Sequence, residues 1–245
     1  MAKRSRRGKR KWWINLFLLS SLFTVAYILF HFYRQDLNEL KRHNLLKEIP
    51  TGFASFGIDV SHHQGKINWE QLIVEHNLDS VIHFVYCKAT EGADHIDKQW
   101  PANRKQLIEQ GIPHGAYHFF SLTSDPIQQA NHFLQKWNKI DSDLPPVLDV
   151  ESGGLTDQEL IGRMKMWLDH VEEKSGMRPV IYTSLHFYET KFKGYFRDYK
   201  FWVAAYSRQP EMNDPRIIHW QYSETGSIPG IREKVDLNVS KIAFL

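Results

Sequence analysis

Two acidic residues stand at alternate positions at the end of a short apolar segment, "PPVLDVES", residues 145–152. Alternate residues of a β-strand point to the same face, so the carboxylates of Asp149 and Glu151 are expected to enter one space, roughly 6–7 Å apart. Like charges held this close raise the pKa of at least one carboxyl, which can then keep its proton. One protonated and one ionised carboxyl is the pair that acid-assisted hydrolysis requires.

The elements that must position this pair alternate between short strands and helices. Eight strands are predicted, at residues 56–60, 81–89, 114–120, 146–151, 179–183, 201–206, 217–222 and 234–239. Helices are predicted at 68–76, at 101–110, after the N-cap Asp125, and from the capping box of Thr156 and Glu159 to about residue 175. After residue 184 the helices shorten or vanish. This pattern predicts an α/β fold in which a parallel sheet closes into an irregular (β/α) barrel of the TIM type, with an open doubly wound sheet as the alternative.

In such a barrel the chemistry lies at the carboxyl ends of the strands. Asp59 ends the first predicted strand, Asp149 and Glu151 end the fourth, and Asp236 lies in the last. Aromatic residues are predicted at the same mouth: Tyr117, Tyr182, Trp202, Tyr206, Trp220 and Tyr222. Any one acid has a simpler interpretation as a cap or an ion-pair partner, and any one aromatic as core. Together they are typical of a sugar-cleaving cleft, where rings stack on pyranoses and two acids hydrolyse the glycosidic bond.

Three other chemistries receive less support from the sequence. The 13 histidines include His62-His63, His118 and His219, but no H-E-x-x-H or similar spacing accompanies them, so no metal site and no cofactor are expected. A serine nucleophile lacks a G-x-S-x-G motif. The single cysteine, Cys87, excludes an intramolecular disulfide and is expected to be a buried structural thiol.

The N-terminal region is chemically distinct from the rest of the chain. Residues 1–34 hold eight of the 31 basic residues and no acid, which leaves the remainder with 23 basic and 28 acidic residues, a net charge of −5. An acidic body argues against a nucleic-acid partner. Residues 12–33 contain no charged residue and are long enough to span a bilayer, with aromatic residues at both ends.

The expected domain organisation follows from this segment. It comprises a basic cytoplasmic tail (1–11), a transmembrane anchor (12–33), a short helical or extended stalk (34–52) and a catalytic barrel (53–245). The basic run before the span predicts a cytoplasmic N-terminus and a barrel that is periplasmic or extracellular. A cleaved signal peptide is the alternative, but the apolar region is long for one and no A-x-A-like site follows it.

Seven motifs in order make the body resemble the glycoside hydrolase family 25 lysozymes, the Chalaropsis-type N-acetylmuramidases. They are "GIDVSHHQGKINW" (57–69), "KATEG" (88–92), "GAYHFF" (115–120), "PPVLDVE" (145–151), "FWVAAY" (201–206), "HWQYS" (219–223) and "VDLN" (235–238). The resemblance implies hydrolysis of the β-1,4 bond between N-acetylmuramic acid and N-acetylglucosamine in peptidoglycan. It implies Glu151 as general acid/base and Asp149 as nucleophile or as stabiliser of a substrate-assisted intermediate. Asp59 and Asp236 would complete the acids of the cleft.

The resemblance also bears on the substrate groove and on the alternatives. Lys88, Tyr117, Trp202 and Gln221 fall on motif positions that would line the groove, to which the aromatic pattern adds Tyr182 and Tyr206. The expected partners are peptidoglycan strands and, through the helix, a membrane. A scaffold that binds peptidoglycan without cutting it remains a second hypothesis, and a hydrolase of another N-acetylated polysaccharide such as chitin a third, although the D-x-x-D-x-D-x-E run of chitinases is absent.

Overall fold

The N-terminal unit of the protein is a single helix. A computed structural model describes residues 3–74, 82–137, 144–151 and 153–244, and the chain divides into two units, 1–47 and 48–245. Helix α1 (Lys3–Glu48) contains the predicted apolar span and runs on through most of the predicted stalk. Its segment Trp12–Leu37 has a mean hydropathy of 1.9 and none of it is buried, so length and composition suffice for a membrane crossing. No other helix among the described residues meets that test.

The second unit is built from nine strands with helices between them. The strands are β1 (Ser55–Val60), β2 (Phe84–Glu91), β3 (His95–Ile96), β4 (His114–Phe119), β5 (Val147–Asp149), β6 (Val180–Ser184), β7 (Lys200–Ala204), β8 (Ile217–Gly226) and β9 (Val235–Ser240). The helices are α2 (Trp69–Val74), α3 (Trp100–Glu109), α4 (Pro126–Lys136), α5 (Asp157–Ser175) and α6 (Leu185–Phe187), with a 3₁₀ turn (His62–Gln64) and a π turn (Tyr188–Phe192). The eight predicted strands are all present, and helices do shorten after residue 184. The predicted end of the helix at 68–76 and the start of the strand at residue 81 lie outside the described residues.

Eight of the strands close into a barrel, which confirms the predicted fold class. The sheet order is β1-β9-β8-β7-β6-β5-β4-β2, and β1 pairs with β2 to complete the ring. The two-residue strand β3, which the sequence did not predict, pairs antiparallel with the end of β2.

The last strand runs in the opposite direction to the other seven, which corrects the expectation of an all-parallel barrel. Strand β9 is antiparallel to both of its neighbours, β8 and β1. A parallel crossover needs a dozen or more residues, usually with a helix, whereas only residues 227–234 join β8 to β9. The chain therefore turns back on itself, and β9 begins at the mouth where the parallel strands end.

Aromatic side chains fill the interior of the barrel below this mouth. Phe84, Tyr86 and Trp202 are buried in one cluster, and glycines opposite them make room for the rings. A Cβ at Gly115 would lie 2.3 Å from the ring of Tyr86, and one at Gly57 would lie 2.5 Å from the ring of Phe84. Residues two positions further along these strands share the same inward face. This is how the aromatic floor and the polar mouth come from the same strands.

Helices α4 and α5 cover the outside of the barrel. The predicted caps are confirmed: the Asp125 carboxylate accepts from the amide of Gln128, and Thr156 and Glu159 form a capping box. His118 points outward from β4 and stacks on Trp167 of α5, with ring centroids 5.5 Å apart. It is therefore a packing residue.

Candidate active site

The four predicted acids come from three segments that meet at the mouth of the barrel. Asp59 is the penultimate residue of β1, Asp149 is the last of β5, and Glu151 follows two residues later. Asp236 is the second residue of β9, and the reversed direction of that strand puts it directly opposite Asp59 in the antiparallel register. The acids influence one another, since the charge of Glu151 raises the pKa of Asp149, of Asp59 and of Asp236.

Asp149 and Glu151 differ in environment although only one residue separates them. Strand β5 ends at Asp149, so Glu151 belongs to the following loop and not to the strand as predicted. Asp149 is buried, and burial above all, then the charge of Glu151, raises its pKa well above its usual range, while the Lys88 ammonium opposes the rise. Glu151 is exposed; partial desolvation raises its pKa, and the nearby Tyr182 hydroxyl and the charge of Lys88 oppose this. Both carboxyls are thus shifted toward holding a proton, one in the floor of the mouth and one at its rim.

The carboxylate of Asp149 has an unused acceptor. Its Oδ1 atom is buried and has no hydrogen-bond partner among the described residues. Leaving such an oxygen unsatisfied costs about 1–3 kcal/mol. A buried acceptor without a partner at the floor of a cleft is suited to receive an N–H or O–H from a bound molecule.

Asp59 and Asp236 form a second pair of carboxyls. Burial is the largest cause that raises the pKa of each, and for Asp236 the charge of Asp59 adds to the rise. Hydrogen bonds from Asn238 and Gln221 work in the other direction on Asp59. Two carboxyls in contact and largely removed from water avoid mutual repulsion by holding one proton between them.

Two side-chain amides fix one oxygen of Asp59. Gln221 Nε2 donates to Asp59 Oδ2 at 2.9 Å, and Asn238 Nδ2 donates to the same oxygen at 2.8 Å. The carbonyl of Gln221 accepts from the hydroxyls of Tyr182 (2.8 Å) and Tyr206 (2.6 Å). Each amide is therefore held on both sides. Asn238 was missed as a site residue, although its position two residues after Asp236 on one strand is enough to place both on the same face.

Trp202 was predicted to line the substrate groove, and its surroundings are different from those expected there. It is 2% exposed, its ring lies 4.8 Å from that of Tyr182, and its indole Nε1 donates to Asn238 Oδ1 at 2.8 Å. Its contact is with the amide that supports Asp59. Gln221 is likewise buried, whereas Tyr206 is half exposed at the rim.

The remaining predicted groove residues come from β2 and β4. Lys88 and Tyr117 are register partners on these neighbouring strands. The Lys88 ammonium is bonded to Glu91 at 2.7 Å and lies 4.6 Å from the ring centre of Phe119. Burial, followed by the charge of Asp59, raises the pKa of the Tyr117 hydroxyl. Both residues lie near the acids, and the charge of Lys88 opposes the rise in the pKa of Asp149 and of Glu151.

Several aromatics and histidines lie away from the acids. Trp220 and Tyr222 alternate with His219 and Gln221 along β8, and the Trp220 indole donates outward to the carbonyl of Ala205. His219 is in the barrel interior, where burial lowers its pKa to about 3. Within the part of the chain that the structure describes, no three His, Cys, Asp or Glu side chains are grouped so as to hold a metal ion. Cys87 is buried, as expected.

Comparison with known proteins shows the family of the chain. The model for "Glycosyl hydrolases family 25" matches residues 58–231. The chain belongs to this family. Protein YegX of Escherichia coli K12, uncharacterized, is 36% identical over 228 residues, covering 92% of this chain and 82% of YegX. Lysozyme M1 of Streptomyces globisporus is 33% identical over 199 residues, covering 74% of this chain and 66% of its own.

A solved structure of a family 25 relative extends the match to the fold. The lysozyme of Streptomyces coelicolor superposes with a TM-score of 0.69 at 31% identity, covering 79% of this chain and 94% of the lysozyme. The protein is thus a family 25 glycoside hydrolase with an eight-stranded barrel, and the resemblance drawn from the seven motifs is confirmed. The individual roles of the acids remain predictions.

Proposed function

We propose that this family 25 hydrolase is a muramidase that cleaves the β-1,4 bond between N-acetylmuramic acid and N-acetylglucosamine in peptidoglycan. The names of its relatives support the substrate, since two of them are lysozymes. The observation that carries the chemistry is the contrast between Glu151, exposed with a raised pKa, and Asp149, buried beside it with a free acceptor oxygen. An exposed carboxyl whose pKa is raised is suited to deliver a proton to the leaving glycosidic oxygen.

In the proposed mechanism Glu151 first acts as the acid and then as the base. Its proton passes to the glycosidic oxygen as the C1–O bond breaks. The resulting carboxylate later takes a proton from the water that attacks C1, and this attack breaks the bond that C1 formed in the first step, to the acetamido oxygen or, on the competing route, to Asp149. Asp149 acts in its ionised form, which the positive charge that develops at the sugar favours, and it supports that charge. Because its free Oδ1 is buried, we assign it the acetamido N–H of the substrate, whose carbonyl oxygen would then attack C1. Direct attack by Asp149 is the competing route, and it would leave a covalent glycosyl-enzyme.

The first experiment uses the full-length protein in detergent micelles with purified peptidoglycan. New reducing ends are identified by mass spectrometry for the wild type, Glu151→Gln and Asp149→Asn. Muramic-acid ends that are lost in Glu151→Gln would support the proposal. Binding of peptidoglycan without any release of fragments, in wild type and variants alike, would replace it with the scaffold hypothesis. Intact-mass spectra of quenched reactions separate the two routes, because only direct attack adds the mass of a sugar chain to the protein.

We further propose that α1 anchors the barrel on the outer face of the membrane. The support is an apolar segment with no charge in residues 12–33, preceded by a basic run. The alignment with YegX covers 92% of this chain, more than the barrel alone, so part of this helix is shared by that relative. Membrane fractions should retain the intact protein after washing at alkaline pH, and added protease should digest the barrel in spheroplasts. A soluble form that begins after residue 33 would instead indicate a cleaved signal.

A further inference from the structure

The orientation of Asn238 is determined by an unambiguous donor. An indole N–H can donate but cannot accept, so the atom of Asn238 that faces Trp202 Nε1 at 2.8 Å is its oxygen. The Nδ2 group consequently faces Asp59, where it donates to Oδ2. No rotation of this amide is compatible with the tryptophan. Gln221 takes the matching orientation, with its oxygen toward two tyrosine hydroxyls and its nitrogen toward the same Oδ2.

Two N–H groups on one carboxylate oxygen occupy both of its lone pairs. Asp59 Oδ2 therefore carries no proton, and both bonds favour the ionised form of this carboxyl. Asp236, its register partner, receives no hydrogen bond from any described residue other than Asp59. After burial, the charges of Asp59, Glu224 and Glu151 raise the pKa of Asp236 and so disfavour a charge on it, and the hydroxyls of Tyr117 and Tyr206 lie within the influence of that charge. The two members of the pair are thus chemically unequal.

We propose that Gln221 and Asn238, held in orientation by Tyr182, Tyr206 and Trp202, are positioning residues that keep Asp59 as a carboxylate and leave the shared proton on Asp236. Asp236 then donates to the second oxygen of Asp59, and the pair carries a single negative charge. This assigns a role to three residues that the sequence alone suggested as substrate ligands, Gln221, Trp202 and Tyr182. The pKa of Asp236 is raised further than that of Asp59, in agreement.

The proposed arrangement gives the cleft a fixed charge where the reaction needs one. Ionised Asp59 contributes a negative charge that is felt at Asp149 and Tyr117, and such a charge stabilises the cationic sugar of the transition state. Neutral Asp236 limits the repulsion that would otherwise act on Glu151. Only this consequence rests on the proposed muramidase function; the position of the proton does not.

The test is a direct titration of the two carboxyls in the full-length protein in micelles. Aspartate is labelled with ¹³C at the side-chain carboxyl, and the two resonances are assigned with Asp59→Asn and Asp236→Asn. The wild type should show the higher midpoint for Asp236. Removing one donor with Asn238→Leu should bring the two midpoints together by about one pH unit, since a hydrogen bond to a charged group is worth at least that much. Trp202→Phe, which removes only the group that orients Asn238, should give a smaller change in the same direction.

Two controls keep each outcome decisive. Tyr195→Phe, at an exposed tyrosine outside the network, should leave both midpoints unchanged. Should Asn238→Leu fail to fold by circular dichroism, Gln221→Met and Trp202→Phe provide the comparison. A higher midpoint for Asp59 in the wild type overturns the proposal, as does an unchanged separation in the folded variants. The titration needs no substrate, so a protein without muramidase activity would refute the proposed function and still test this inference.

An activity measurement adds a readout that a purely structural role would not move. In the folded variants kcat on peptidoglycan fragments should fall with little change in KM. The acid limb of the kcat/KM profile should move to higher pH by about one unit, because Asp59 with one donor fewer loses its proton only at higher pH. A loss of kcat and KM together, with an unmoved pH profile, would contradict the assignment.

Discussion

Replacement of Asp236 by asparagine should stabilise the barrel at neutral pH, and the gain should disappear in acid. Burial and the charge of Asp59 raise the pKa of Asp236 to about 8 from the ordinary 3.8. At pH 7 the folded protein holds this proton and the unfolded chain has released it, so the residue destabilises the fold increasingly as the pH rises from 4 to 8. The difference of about three units between the ordinary pKa of 3.8 and pH 7 sets an upper bound of ~4 kcal/mol on the free energy of unfolding that is lost at pH 7. Because Asp59 shares the same repulsion, about half of this, ~2 kcal/mol, is assigned to Asp236.

The asparagine retains a donor for Asp59, which isolates the effect of the charge. A domain of this size changes its Tm by about 2–4 °C per kcal/mol, so Asp236→Asn should raise Tm by about 4–8 °C at pH 7–8 and leave it unchanged at pH 4. The measurement is thermal unfolding by circular dichroism at pH 4, 6 and 8. Asp214→Asn is the matched control of opposite sign, because hydrogen bonds from Arg216 above all hold the pKa of Asp214 well below its usual range. A lower Tm for Asp236→Asn at pH 8, or a gain that does not depend on pH, would refute the reasoning.

The packing and charge of the barrel lead to three further predictions. Asp149→Asn should lower kcat by about 10²–10³-fold. It should still raise Tm at neutral pH, since it removes a buried ionisable group. A fall in both kcat and Tm would indicate a structural role for Asp149. Burial lowers the pKa of His118 to about 3 from the ordinary 6.5, so the folded protein loses stability as the pH falls below 6.5, by ~2 kcal/mol at pH 5. His118→Gln should therefore flatten the fall of Tm between pH 7 and 5. Gly115→Ala brings a Cβ to 2.3 Å from Tyr86 and should cost about 1–3 kcal/mol in urea unfolding, whereas Gly162→Ala, on the exposed face of α5 with open space, should gain about 1 kcal/mol.

The alternation of inward-facing and outward-facing residues along each strand accounts for most of what the sequence predicted correctly. Strand patterns and caps are local, so the eight barrel strands and the caps at Asp125 and Thr156 follow from short segments. The alternation also puts Asp59, Asp149 and Asp236 on the inward face of their strands once the barrel closes. Their convergence depends on where β1 and β5 end and where β9 begins, and the sequence placed these three points to within two residues.

The parts that the sequence did not predict depend on contacts between distant segments. The inward face of a strand includes both its mouth and its floor, so the pattern cannot separate a ligand at the surface from a residue beneath it. Trp202 is on the expected face, but its indole is used by Asn238, which lies 36 positions away in the chain. The direction of β9 has a local signal only once β8 is known to run to Gly226. The predicted strands leave eleven residues between them (223–233), close to the dozen that a parallel crossover needs, whereas the structure leaves eight (227–234).

The reversal of β9 is what makes Asp236 and Asn238 part of the mouth. In a parallel strand of the same sequence Asp236 would lie at the start of the strand, at the opposite end of the barrel from Asp59. Running the strand backwards puts its first residues at the mouth, so that Asp59 pairs with Asp236 while Asn238, one inward step deeper, reaches the same carboxylate from below. Two acids and the amide that makes them unequal thus come from only two adjacent strands. The short connection after β8 therefore has a chemical consequence, because it determines which end of the barrel receives the shared proton.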